Sequence, residues 1–350
     1  MGLSVAGIYV TDNYVDVAVT ESTALAGGDA APFHFKEIRF RQFPVREFIG
    51  GKKKQGVEVL FREIVSWIDR TGAELACIGV GSFGPFASLD HTIPIEEQIK
   101  KGYGTIQKSV HTLLEGYNLC DLITNGYWEL HKAPPKIVVQ TDVSVAALGE
   151  LYQRYVQDGH WVDSGRDRVV AFLKISVGIG GSVVFGERLW AGQHHTEMGH
   201  IRVARWESND PKVFRRELSE NGTCQFHGDC LEGLASVASF QRRWSRDFYD
   251  LERQPDHPAF DRQAFYVAQF CIAVTYLFSP AKIVLGGRIM NVPGLLEKVR
   301  RQFINLHGVD APPHYEQLDD VESYIAIYSP RIDGCGSGIL GALGFAAMSV

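Results

Sequence analysis

Cys224, His227 and Cys230 fall in one short run, Cys224-Gln225-Phe226-His227-Gly228-Asp229-Cys230, and His200 precedes it. Thiolate sulfur and imidazole nitrogen are the donors that zinc takes in tetrahedral sites. Two-residue gaps let consecutive ligands curl around one ion, and Gly228 permits the tight turn between them. Four protein ligands would make a closed structural site with no open position for water. The alternative is two free thiols and a surface histidine. The chain has six cysteines, and Cys77, Cys120, Cys271 and Cys335 are scattered through apolar or Gly-rich segments as inert thiols. In a chain without a secretion signal, the clustered pair points to metal rather than to a disulfide.

The flanking pattern is that of an α/β protein. Leu3 to Val10 is apolar and β-branched, Thr11-Asp12-Asn13 is turn chemistry, and Val15 to Thr20 alternates again. Phe33 to Phe40 reads as a third strand. Val57, Leu60, Phe61, Ile64, Val65 and Ile68 recur at helical spacing. Leu75 to Val80 is a strand running into Gly81-Ser82-Phe83-Gly84-Pro85; Lys136 to Gln140 is another, ending at Thr141-Asp142 before a helix from Val143 to Val156. Open α/β sheets place their ligands at such strand ends. The pattern then restarts: strand Arg168 to Ser176, turn Gly178-Ile179-Gly180-Gly181, returning strand Ser182 to Phe185. A helix from Phe260 to Phe278, a strand from Ile283 to Leu285 ending in Gly286-Gly287, and a helix from Gly294 to Phe303 follow. Tyr324 to Tyr328 reads as a strand and Gly338 to Met348 as a closing helix, while the charged stretch Trp206 to Glu220 reads as an excursion loop. Two hairpin-plus-α/β units in series predict two similar lobes around a cleft. The expected division is 1–140, with 337–350 packing back on it, and 141–336.

Composition bounds the function. A chain of 350 residues makes about two domains. With 45% hydrophobic and 22% charged residues it has ample material for a core and is not a disordered chain. A net charge of −6 disfavours a partner recognised by overall basicity, such as nucleic acid, and Lys52-Lys53-Lys54 reads as a solvated loop. No apolar run approaches the ~20 residues of a membrane span. With no signal-peptide pattern at the start, a cytoplasmic location is expected.

Glu197-Met198-Gly199-His200, followed by Cys224 to Cys230 and then Leu231-Glu232-Gly233-Leu234-Ala235-Ser236, resembles the ROK family of sugar kinases, most of all its zinc-containing fructokinase branch. Further similar segments occur in the same order: Gly81 to Pro85, Thr141 to Glu150, Gly178 to Gly181, Ile283 to Gly287 and Gly338 to Gly344. The resemblance implies the α/β, two-lobed actin-like ATPase (hexokinase/ribonuclease H-like) fold with a central cleft. It implies phosphate transfer from ATP, with Mg²⁺, to a hexose hydroxyl, a structural Zn²⁺ on His200, Cys224, His227 and Cys230, and a homodimer. Asp142 takes the place of the family's catalytic base, a role that suits a carboxylate beside a weakly nucleophilic hydroxyl; by itself it would read as a helix N-cap. Gly81, Ser82, Thr141, Glu197, His200 and Glu232 match sugar-site positions. His200 would then turn one ring nitrogen to the metal and the other to the sugar, so that the metal positions a sugar contact.

The nucleotide positions depart from the family. Gly178, Gly180, Gly181, Gly286 and Gly287 match its glycine loops. However, Val177 stands where a hydroxyl is usual and Arg288 where a third glycine is usual. In the first hairpin the family carries an acid and then Gly-Gly-Thr-Lys, whereas this chain has Tyr9 for the acid, Thr11-Asp12 for the glycines, Asn13 for the Thr and Tyr14 for the Lys. Asp12 would turn negative charge toward a polyphosphate, at about 4 kcal/mol per charge pair for ~4 Å and an effective dielectric near 20. Ser144 replaces an Asn two residues after Asp142, which bears on substrate identity. Three readings stay open on these residues: a fructokinase-like kinase, a sugar-binding sensor or subunit without nucleotide turnover, and an enzyme doing other chemistry on a sugar.

Overall fold

The structure, a computed structural model, describes residues 3–23, 34–48, 53–89, 93–108, 112–158, 169–186, 188–190, 192–206, 221–307 and 320–350. The chain divides into two compact units, one of Met1–Gly165, Val184–His195 and Ser329–Val350, the other of Arg166–Val183 and Thr196–Tyr328.

The first unit is built on β1 (Leu3–Val10), in which Val5, Ala6, Ile8 and Val10 are all buried. Such a run, apolar on both faces, suits a strand inside a sheet. Around it lie β2 (Tyr14–Thr23), β3 (His34–Phe35), β4 (Arg39–Pro44), β5 (Leu75–Ser82) and β6 (Lys136–Thr141), in the order β3-β2-β1-β5-β6 with β4 also on β2. β1 and β2 form an antiparallel hairpin, while β1, β5 and β6 run parallel. Helix α1 (Lys53–Arg70) buries the six apolar positions read from its spacing, and α2 (Leu119–Glu129) packs on it. The expected strand 33–40 is instead two pieces, with Phe33 outside the described residues. Ser22 pairs with Phe35 and Val19 with Arg39, so Lys36, Glu37 and Ile38 face only Thr20 and Glu21, and the surplus residue breaks the strand.

Helix α3 (Asp142–Asp158) follows β6 directly. The C-terminal helix, Ser337–Met348, packs along α3, β1 and β5. Buried Glu150 of α3 secures this return: it accepts hydrogen bonds from Ser329 N at 3.0 Å, from Ser329 Oγ at 2.7 Å and from the Ser337 hydroxyl. The first unit therefore runs past residue 140 to include α3, and its C-terminal part begins at Ser329. β6 ends the order of the sheet, and the Tyr103 hydroxyl serves its open side, accepting from Val139 N at 2.6 Å and donating to Val139 O at 3.2 Å.

The second unit repeats the plan. β7 (Val169–Ile175) and β8 (Ile179–Phe185) are neighbours joined by the turn Ser176–Gly178, and β10 (Lys282–Gly286) and β11 (Ile325–Ile327) add parallel strands beside β7. The order is β11-β10-β7-β8-β9, with β9 (Arg188–Leu189) pairing the end of β8. The turn is shorter than the expected 178–181: Ile179, Gly180 and Gly181 already lie in β8. Helices α4 (Leu231–Ala235), α5 (Val237–Trp244), α6 (Ala259–Phe278) and α7 (Leu295–His307) lie in the same unit, with shorter helical turns between them. Of the expected excursion loop 206–220, only Trp206 lies among the described residues. No helix of the described residues is long and apolar enough to cross a membrane.

Candidate metal and sugar site

His200, Cys224, His227 and Cys230 come together in the second unit, with their ligand atoms all within 4.8 Å of one another. Local backbone pairing makes the cluster. Gly228, at φ +59°, closes a turn in which its N–H donates to the Cys224 carbonyl at 3.0 Å. Leu231 N donates to Ile201 O at 2.9 Å, which holds the His200 segment against the Cys230 segment. Asp229 braces the loop, accepting from Gly222 N at 2.6 Å and pairing with Arg205 at 2.7 Å.

The donor set fits a tetrahedral metal. His200 Nδ1 lies 3.4 Å from Cys230 Sγ and 3.6 Å from Cys224 Sγ, and His227 Nδ1 lies 3.9 Å from Cys224 Sγ. With Zn–S near 2.3 Å and Zn–N near 2.05 Å, tetrahedral geometry asks for about 3.6 Å between S and N. Burial pushes the Cys230 thiol up to about 11, and neighbouring Cys224 adds to this, so two thiolates here need a cation beside them. By contrast, burial holds Cys77 up at about 11, and burial with nearby carboxylates (Asp121; Asp16 and Asp333) holds Cys120 and Cys335 up at about 12, with no thiol or imidazole cluster around them among the described residues. Since His200 faces the thiols with Nδ1, its Nε2 is left for the other side, where Glu197 Oε2 lies 3.8 Å away. The ring of exposed Phe226 stands edge-on to that imidazole.

Glu232, two residues after Cys230, is buried, and its Oε2 accepts from Ile179 N at 3.1 Å. The metal loop, one predicted sugar residue and the β7–β8 turn are thus directly linked. Beside that turn lies the end of β10, in register at Gly286 and Lys174. Gly287, at φ +91°, rests on the Ile175 carbonyl. The predicted nucleotide glycines Gly178, Gly180, Gly181, Gly286 and Gly287 therefore share one end of one sheet. Arg288 does not add its charge there: it pairs with Glu252 at 2.8 Å and lies over the Tyr249 ring at 4.8 Å.

The other predicted residues meet in the first unit. Gly81 and Ser82 end β5, Thr141 ends β6, and the register sets Ser82 beside Thr141 and Tyr9 beside Gly81. Thr141 takes the capping position of α3, its Oγ1 accepting from Ser144 N at 3.3 Å and donating to Ser144 Oγ at 2.7 Å. Asp142 is thus the first residue inside the helix rather than its cap, and one carboxylate oxygen accepts from Val143 N at 2.9 Å. Ser144, the departure from the family pattern, is taken up in this cap. Ser82 Oγ is buried without a hydrogen-bond partner among the described residues, the condition of a group awaiting a ligand or water.

The first hairpin turn is closed by Thr11 and Tyr14, and Val45 N donates to its Asn13 carbonyl at 2.9 Å. Thr11 N and Oγ1 both donate to Tyr14 O, at 2.9 and 2.8 Å, and Tyr14 N donates back to Thr11 Oγ1 at 3.2 Å. The Tyr9 ring packs on Gly338, where a Cβ would come within 2.4 Å of it. Two residues escaped the sequence reading. His195 sets its ring edge against Phe86 and reaches Gly84 of the Gly81–Pro85 segment. Thr196 donates from Oγ1 to Gly181 O at 2.7 Å. Their nearness to Glu197 was the only available signal. A cavity of about 1020 Å³ between α1 and α2, lined by Arg62, Tyr117 and Trp128 among others, contains none of these residues.

The chain is similar to known proteins in sequence and in fold. The chain is 31% identical over 271 residues to a fructokinase of Zymomonas mobilis subsp. mobilis, covering 77% of each chain. It is 30% identical over 269 residues to a fructokinase of Lactococcus lactis subsp. cremoris, covering 76% of this chain and 78% of that one. The crystal structure of a ROK hexokinase from Thermus thermophilus superposes with a TM-score of 0.65 at 21% identity, over 99% of both chains. That likeness shows the fold, the two-lobed α/β architecture of the actin-like ATPases. The ROK family model matches residues 52–321, and with these relatives it shows that the chain belongs to the ROK family.

Proposed function

We propose that this ROK protein is a hexose kinase, with fructose its first expected substrate, ATP the donor and Mg²⁺ the accompanying ion. The observation that carries the reading is the place of Asp142: it stands where β6 meets α3, with Thr141 capping the helix and one Asp142 carboxylate oxygen accepting from Val143 N at 2.9 Å. In the proposed reaction Asp142 accepts the proton of a sugar hydroxyl as its oxygen bonds to the γ-phosphorus and the bond to ADP breaks. Ser82, Glu197, His200 and Glu232 orient the sugar: carboxylates accept from its hydroxyls and the imidazole fixes its direction. The backbone N–H groups around Gly178–Gly181 and Gly286–Gly287 suit the phosphates. The metal is proposed to be Zn²⁺, held by His200, Cys224, His227 and Cys230, and to supply fixed geometry to the His200 ring rather than a reactive water. A homodimer and a cytoplasmic location complete the proposal. ADP release tested with ATP, Mg²⁺ and a hexose panel decides it. ADP and a hexose phosphate forming in equal amounts, fastest with fructose, is the expected result; no transfer to any hexose refutes it.

A further inference from the structure

The β7–β8 turn is held from outside at several points, all of them on the metal and sugar segments. Val237 N donates to Ser176 O at 3.0 Å. Ile179 N donates to Glu232 at 3.1 Å, and Ile179 O lies so close to Gly199 that a Cβ there would approach it to 1.8 Å. Gly181 O accepts the Thr196 hydroxyl at 2.7 Å. Gly199 adjoins the metal-cluster residue His200, and Glu232 lies just beyond Cys230; those two anchors already serve that neighbourhood. Thr196 alone brings a side chain with no other assigned task, on the residue before Glu197. Within the turn, Val177 offers no hydroxyl of its own.

We propose that Thr196 is a positioning residue for the glycine turn: its hydroxyl, borrowed from the sugar segment, holds the Gly181 peptide and with it the backbone N–H groups that face phosphate. Thr196 does not itself touch the substrate. Val at this position keeps the branched shape and lacks the donor, while Ser keeps the donor.

The inference rests on the kinase reading for its kinetic signature, so the test has two arms. In the first, Thr196→Val raises KM for ATP roughly three- to tenfold, the weight of one hydrogen bond. KM for fructose and metal content stay as in the unmodified protein, and Thr196→Ser restores KM for ATP. Equal shifts in both KM values, or no shift, overturn the proposal. In the second arm, hydrogen exchange is followed in the peptide spanning 176–183. Faster exchange in Thr196→Val but not in Thr196→Ser supports the anchor, and identical exchange in all three proteins removes it. Should the unmodified protein transfer no phosphate, the kinase reading falls and the exchange arm alone decides the anchor.

Discussion

The two units each open with a β-hairpin, and the two turns differ in how many of their bonds come from outside: one in the first, Val45 N to Asn13 O at 2.9 Å, and several around the second. The β1–β2 turn uses its own Thr11 side chain and backbone to satisfy Tyr14, and it carries Asp12 at its tip. The β7–β8 turn, Ser176–Gly178, has one internal bond, from Ser176 N to Gly178 O at 3.0 Å, and together with the start of β8 it is held by Val237, Glu232, Gly199 and Thr196 from elsewhere in the unit. A turn closed by its own side chains is stable locally but has its hydrogen-bonding groups engaged. A turn braced from outside keeps its shape with fewer bonds of its own, though the brace here takes Ile179 N, and its shape then depends on whatever fixes the brace. The proposed function gives the phosphates to the second turn, whose brace leads to the loop of Cys224 to Cys230.

Among changes to the two turns and their supports, loss of the Cys230 thiol should have the largest effect. Cys230→Ala takes one donor from the cluster and should abolish stoichiometric metal while raising KM for the hexose by at least about tenfold. Metal analysis beside steady-state kinetics checks this, and unchanged metal with unchanged KM would break the comparison. Opening the first turn should matter less. Thr11→Val removes the hydroxyl that both gives to and takes from Tyr14 and should cost about 1 kcal/mol in denaturant unfolding, leaving KM for ATP unaltered. A large change in that KM would mean that the first turn also handles phosphate.

The smallest effect concerns buried Asp16, directly across from Tyr9 in the first hairpin. Burial holds its carboxyl above the ordinary value, against the lowering by the Gln42 hydrogen bond and the Arg331 charge. A carboxyl raised on folding binds more protons in the native state, so stability is lost as pH climbs from 3.8, the ordinary value, through the raised one. Asp16→Asn keeps the acceptor for Gln42 and should raise the melting temperature by roughly 2 °C at pH 7, a gain that vanishes below pH 3.8. A loss at pH 7 would show that the ionised group is needed there.

Much of this was legible in the residues. The cluster of His200, Cys224, His227 and Cys230 was readable because a metal site needs particular side chains at short intervals, and Cys224 to Cys230 supplies three of them locally. The helices at Val57–Ile68 and Phe260–Val274 declared themselves by spacing. What could not be read depends on pairings between distant segments. The break in the strand at Lys36–Ile38 follows from which β2 residues face it. The capping of α3 by Thr141 and not Asp142 is a choice between two adjacent good caps, settled by side-chain direction. Thr196 looked like any half-exposed threonine until β8 set the Gly181 carbonyl in front of it.

Asp142 tests the account most directly. Fructose-dependent ADP release should fall about 10²- to 10⁴-fold in Asp142→Asn, the weight of a lost general base, with metal content and fructose binding held. Equal turnover in the variant and the unmodified protein would contradict it.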